Sequence, residues 1–259
     1  VHRPRSPKTR ELPPTLTLQK PGTYRNSDLT PVSISGIAGD TAPGEIDKVE
    51  VRVLRNTGLA FYLSPALLTF SVDPGVTNPE LTWIKATYDT DWTAWKLSSA
   101  IPWASGESYD VMARVKDRAG NYVVAYQTHT FKFDVTPPQS GLSYPPNSSY
   151  VKSLASLSGT MADYPQGGLL SSGTVPTMRL QVQRKTDGFY WDGGGWLTGV
   201  QVVQSGAAGM EVWLDSWTIK APNLPTLTSG VSYYLTTSGL DDASVGNPEV
   251  YGHVRSSPF

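Results

Sequence analysis

The chain of 259 residues matches itself at a shift of about 124, and a self-match of this length constrains architecture before any single residue does. Pro13-Pro14 falls on Pro137-Pro138, Pro21 on Pro145, and Ser35-Gly36 with Asp40 on Ser158-Gly159 with Asp163. Val49–Arg55 aligns with Met178–Arg184 after a longer loop, Trp95 with Trp217, and Gly106-x-x-Tyr109 with Gly230-x-x-Tyr233. Asp117 then meets Asp241, and Gly120-Asn121 meets Gly246-Asn247. The shared order implies two copies of one domain, 13–134 and 135–259, each long enough to bury a core. Residues 1–12 precede the repeat.

Within each copy the apolar signal has period two, as expected of strands with one buried face. Val49, Val51 and Val53 share a face opposite Glu50 and Arg52, and Tyr109, Val111, Ala113 and Val115 share a face opposite Asp110, Arg114 and Lys116. Met178, Leu180 and Val182 repeat the pattern in the second copy. Turn signals separate these runs, fed by 24 glycines and 21 prolines, while charged residues make up only 17%. That balance argues against long helices and against charge-driven disorder. Short strands with tight turns, twice over, predict an all-β chain of two tandem antiparallel β-sandwiches with an extended N-terminal tail.

Tyr109-Asp-Val-Met-Ala-Arg-Val-Lys-Asp-Arg-Ala-Gly-Asn121, followed by Thr130-Phe-Lys-Phe-Asp-Val-Thr-Pro-Pro138, resembles the ending of bacterial Ig-like repeats found in long surface and secreted proteins. The resemblance covers nearly all of both copies and implies an Ig-like sandwich and an extracellular or cell-surface location. The second copy departs from it, because Asp241–Asn247 carries one extra residue and no second Thr-Pro-Pro follows. Ig-like domains serve many roles, so the resemblance speaks to architecture more than to function.

A formal net charge of −1 leaves no global field for nucleic acid or an anionic membrane, and no apolar run is long enough for a membrane span. With no cysteine and three histidines, thiol nucleophiles, thiolate zinc sites and most His-based catalytic sets are excluded. No nucleophile elbow, metalloprotease signature, phosphate loop or dinucleotide fingerprint occurs, so a non-enzymatic role is expected. The start at Val1 without Met reads as processed or excised, with no signal peptide in its first residues.

Three groups of residues are candidates for function. The tail carries Arg3, Arg5, Lys8 and Arg10 against Glu11, with Pro4 and Pro7, and ends at Leu12. It cannot build a core, and an extended segment of this kind suits addition to the sheet edge of a neighbouring subunit. Tyr190, Trp191 and Trp196 flank a run of three glycines and are predicted to be presented outward at a hairpin tip, to a glycan or to another subunit. Asp117, Asn121, Asp134 and Asp241, with Asp163 and Asp242 beside them in the alignment, offer hard oxygens for calcium near a domain junction, although Asp in turns more often bonds its own backbone. No other cofactor is expected. The short Asp134-Val-Thr-Pro-Pro138 junction predicts an extended connection with limited swing. Taken together, these features predict a structural protein whose partner is itself, in a filament or surface layer with tail-mediated contacts. An adhesin or carbohydrate-binding stalk module is the alternative.

Overall fold

In a computed structural model the described residues are 13–20, 24–25, 34–75, 77–164, 173–243, 246, 248–249, 251 and 257–258. The tail, with Arg3, Arg5, Lys8, Arg10 and Leu12, lies outside them. The chain divides into two compact units, Val1–Asp134 and Val135–Phe259. Among the described residues, regular structure is strand apart from one 3-10 turn, Pro79–Thr82. Among the described residues no helix is long and apolar enough to cross a membrane.

The first unit contains β1 (Thr15–Lys20), β2 (Tyr24–Arg25), β3 (Ser35–Gly39), β4 (Ile46–Arg55), β5 (Phe61–Leu63), β6 (Phe70–Val72), β7 (Ile84–Lys85), β8 (Thr87–Tyr88), β9 (Trp95–Lys96), β10 (Glu107–Asp117) and β11 (Gln127–Phe133). One sheet runs β1-β3-β9-β8, and the other runs β2-β11-β10-β4-β5-β6 with β7 also on β4. Pairing is antiparallel except between β2 and β11. Val49, Val51 and Val53 of β4 and Tyr109, Val111, Ala113 and Val115 of β10 are fully buried, and they face Leu16, Leu18, Ile34 and Trp95 in one core. The period-two pattern alone puts these side chains on one face.

The second unit contains β12 (Gln139–Tyr144), β13 (Ser156–Ala162), β14 (Thr177–Arg184), β15 (Tyr190–Trp191), β16 (Trp196–Leu197), β17 (Val203–Gln204), β18 (Glu211–Val212), β19 (Ser216–Lys220), β20 (Tyr233–Leu240) and β21 (Ser257–Pro258). Its sheets run β12-β13-β19-β18 and β16-β15-β14-β20-β21, with β17 also on β14. Leu157, Met178, Leu180, Val182, Trp217, Ile219 and Leu235 fill the core between them. The protein is thus all-β, two tandem Ig-like sandwiches of antiparallel design.

Two devices recur at equivalent places. Gly36 pairs with Trp95 across β3 and β9, and Gly159 pairs with Trp217 across β13 and β19. Each indole packs against the glycine, and a methyl at either position would run into a carbonyl oxygen of the adjacent strand, that of Thr17 or of Gly141. The second device is the tyrosine corner. Tyr109 Oη accepts the Ala104 N–H at 2.8 Å, and Tyr233 Oη accepts the Thr228 N–H at 2.7 Å. Burial pushes the Tyr109 hydroxyl up to about 12.

Candidate functional site

The calcium candidates separate into two kinds once their partners are known. Asp117, buried at the end of β10, accepts from the Asn121 backbone N–H at 2.7 Å and from Asn121 Nδ2 at 2.7 Å. Burial works to raise its pKa, but the hydrogen bonds from Asn121, Gly120 and Ala119 outweigh it and hold the carboxyl below its ordinary value. Asp117 and Asn121 therefore close the β10–β11 turn on each other. Asp242 likewise accepts from Thr174 N and Oγ1, both at 3.0 Å.

Asp134, Asp163 and Asp241 behave differently. All three are buried, and within the second unit carboxylate oxygens of Asp163 and Asp241 lie within 4.8 Å of each other. Asp134 follows β11 and also accepts from Ser105 Oγ at 2.8 Å. Asp163 follows β13 and accepts the Gly173 N–H at 2.6 Å, while Asp241 follows β20 and accepts the Ala243 N–H at 3.1 Å. Calcium holds oxygens at about 2.3–2.6 Å, so oxygens about 5 Å apart can share one ion, with carbonyls and water completing the shell. The residues present fit such a cation. Millimolar Ca²⁺ is then expected to raise the melting temperature, by the equivalent of about 2.7 kcal/mol at a hundredfold excess over Kd. A chelator should reverse the rise and Asp163→Asn should remove most of it; melting indifferent to both ion and chelator would eliminate calcium.

The aromatic patch is reorganised. Asp192 Oδ1 accepts the N–H groups of Gly194 and Gly195 at 2.9 and 2.7 Å, and these bonds hold its carboxyl below the ordinary range. This tight turn sets Trp191 directly opposite Trp196, so the two share a face, and that face is the inner one. Trp191 is 1% exposed and belongs to the core. Trp196 is half-buried, donates Nε1 to Thr226 O at 3.2 Å and lies 4.9 Å from the Arg184 guanidinium. Tyr190 is half-buried too. The predicted outward presentation of Trp191 is corrected on these grounds.

The face that period two assigns to solvent on β4 and β10 carries the densest chemistry in the first unit. Glu50, Arg52 and Arg114 are buried there. Arg114 donates Nε to Glu50 Oε2 at 2.8 Å and Nη1 to Glu80 Oε2 at 2.6 Å, and Lys48 Nζ donates to Glu50 Oε1 at 2.6 Å. The hydrogen bond from Arg114 holds Glu80 below its ordinary value. Arg114 lies 4.1 Å from the Trp83 ring and 4.8 Å from Tyr122; Arg52 lies 4.6 Å from Trp83, 4.8 Å from Tyr62 and 5.8 Å from Tyr126. Trp83 and Tyr126 meet edge-on at 5.1 Å. Stacking of cations between rings offsets part of the cost of burying them.

No protein-family model matches the chain, and no curated protein matches it. Among solved structures it is similar to fibronectin(III)-like modules of Clostridium thermocellum CbhA, at 13% identity and a TM-score of 0.37, covering 94% of this chain and 92% of that one. It is also similar to a tetra-tandem repeat in the extending region of a large adhesion protein, at 17% identity and a TM-score of 0.32, covering 95% of this chain and 47% of that one. The fold assignment rests on the strands and sheets themselves.

Proposed function

We propose that the chain is a non-enzymatic structural module of an extracellular assembly, a subunit of a filament or surface layer in which the tail of one copy adds to a sheet edge of the next. The observation that carries this reading is β1. Its six residues pair on one side only, with β3, so among the described residues a full row of backbone donors and acceptors has no strand beside it. A tail of twelve residues with two prolines is long enough to supply such a strand. The side chains fit a structural role as well: Asp91, Asp117, Asp187 and Asp192 are engaged in holding turns. The low net charge of −1 keeps self-repulsion small when many copies pack together. The stalk-module alternative loses Trp191, which lies in the core.

Negative-stain electron microscopy of the intact chain and of a chain lacking residues 1–12, at one concentration, tests the reading. Ordered filaments or sheets are expected only from the intact chain. Isolated particles in both samples, with both chains folded by circular dichroism, would overturn tail-mediated assembly.

A further inference from the structure

The segment after β10 folds back over the outer face of its own sheet and leaves a hollow of about 390 Å³, lined by Arg114, Tyr122, Val123, Val124, Ala125 and Tyr126. Its size falls in the range of small-ligand sites, about 300–1,000 Å³. Tyr122 is 39% exposed and Tyr126 45% exposed, so each ring offers an accessible face, yet neither ring is loose. Tyr126 is braced edge-on by Trp83, and Tyr122 is held by Arg114 beneath it and by Lys116 Nζ at 5.6 Å. Rings already fixed in place lose little freedom when a ligand stacks on them.

The lining also supplies a polar anchor. Arg114 is 7% exposed and donates from Nε and Nη1, and Nη2 has no acceptor among the described residues. The charge of the surroundings is one-sided. Lys48, Arg52, Arg114 and Lys116 surround these rings, against the carboxylates of Glu50 and Glu80, in a chain whose net charge is −1. A ligand that suits both features has a flat apolar face for tyrosine and a carboxylate for the guanidinium.

We propose that the hollow walled by Tyr122 and Tyr126 and anchored by Arg114 binds an acidic sugar, with the pyranose face stacked on a tyrosine and the uronate carboxylate directed to Arg114. This site is independent of assembly, because it uses no residue of the tail and no sheet edge.

Isothermal titration of the full chain with tetragalacturonate, beside neutral cellotetraose and a tetraglutamate peptide, tests it at low salt. Saturable binding of tetragalacturonate is expected, with both comparators at least tenfold weaker. Tyr126→Ala and Tyr122→Ala should each weaken binding tenfold or more. Val124→Glu serves as the variant that leaves the fold intact, since Val124 is 88% exposed, and its added carboxylate should repel the ligand by a similar factor. No saturable binding by the folded chain, or equal affinity in the folded Val124→Glu variant, would overturn the proposal. Equal binding of cellotetraose would overturn the charge argument, and equal binding of tetraglutamate would make the surface one for acidic peptides instead.

Discussion

Trp217→Ala is expected to lower the stability of the second sandwich by about 3–5 kcal/mol, with Trp95→Ala doing the same to the first. Either indole is 1% exposed and lies against a glycine in the adjacent strand, so its removal leaves a void that no neighbour can fill without moving backbone. The glycine is the other half of the device. Gly159→Ala would set a methyl against the Gly141 carbonyl oxygen and 2.6 Å from Trp217 Nε1. Overpacking of that kind costs about 1–3 kcal/mol or more, because the clashing atom is backbone. A domain of this size has about 5–15 kcal/mol in all, so the Trp217→Ala loss is a large fraction. Each unit has its own core, so denaturant unfolding should move the transition of the altered unit and leave the other in place. Equal movement of both transitions would contradict two separate cores.

Glu50→Ala is expected to cost the first sandwich about 3 kcal/mol. The Glu50 side chain is 12% exposed and its two oxygens take Lys48 and Arg114. Removing it leaves the Arg114 guanidinium, itself buried, with Glu80 as its remaining carboxylate. An exposed pair would cost under about 1 kcal/mol, and a measured loss that small would mean that water replaces the carboxylate. Arg114→Met in the Glu50→Ala background separates the two possibilities. Recovery of part of the loss is expected, because the uncompensated charge is then gone; a further loss equal to that of Arg114→Met alone would show that packing of the guanidinium against Trp83 and Tyr122 carries the stability.

The long strands were legible because period two leaves little choice. Val49, Val51, Val53, Tyr109, Val111, Ala113 and Val115 can share one face only if β4 and β10 run as they do, and the repeat then places Trp217 where Trp95 sits. The opposite face, with Glu50, Arg52 and Arg114, is covered as well. Its cover comes from Trp83, Tyr122 and Tyr126, which lie on short connections with no periodicity of their own. Tight turns were also visible, but which face a two-residue strand turns inward was not: the glycines after Trp191 mark a hairpin, and the partner register decides that Trp191 points into the core. Among the acids, spacing could not separate Asp117, which is engaged by Asn121, from Asp163 and Asp241, which converge from two distant parts of the second unit. A signal was present, because Asn121 stands four residues after Asp117 and can close a turn on it, an arrangement the one-residue insertion in Asp241–Asn247 disturbs.

The parallel pairing of β2 with β11, through Tyr24–Lys132 and Arg25–Phe133, places a strand near the entry of the first sandwich directly beside the strand by which the chain leaves it. Tension on the two ends of that sandwich drags these neighbours in opposite directions along their length, so their inter-strand bonds are strained together rather than one after another. Among the described residues the second sandwich has no such clamp, since β21 lies antiparallel to β20. The two copies of one fold are therefore mechanically unequal.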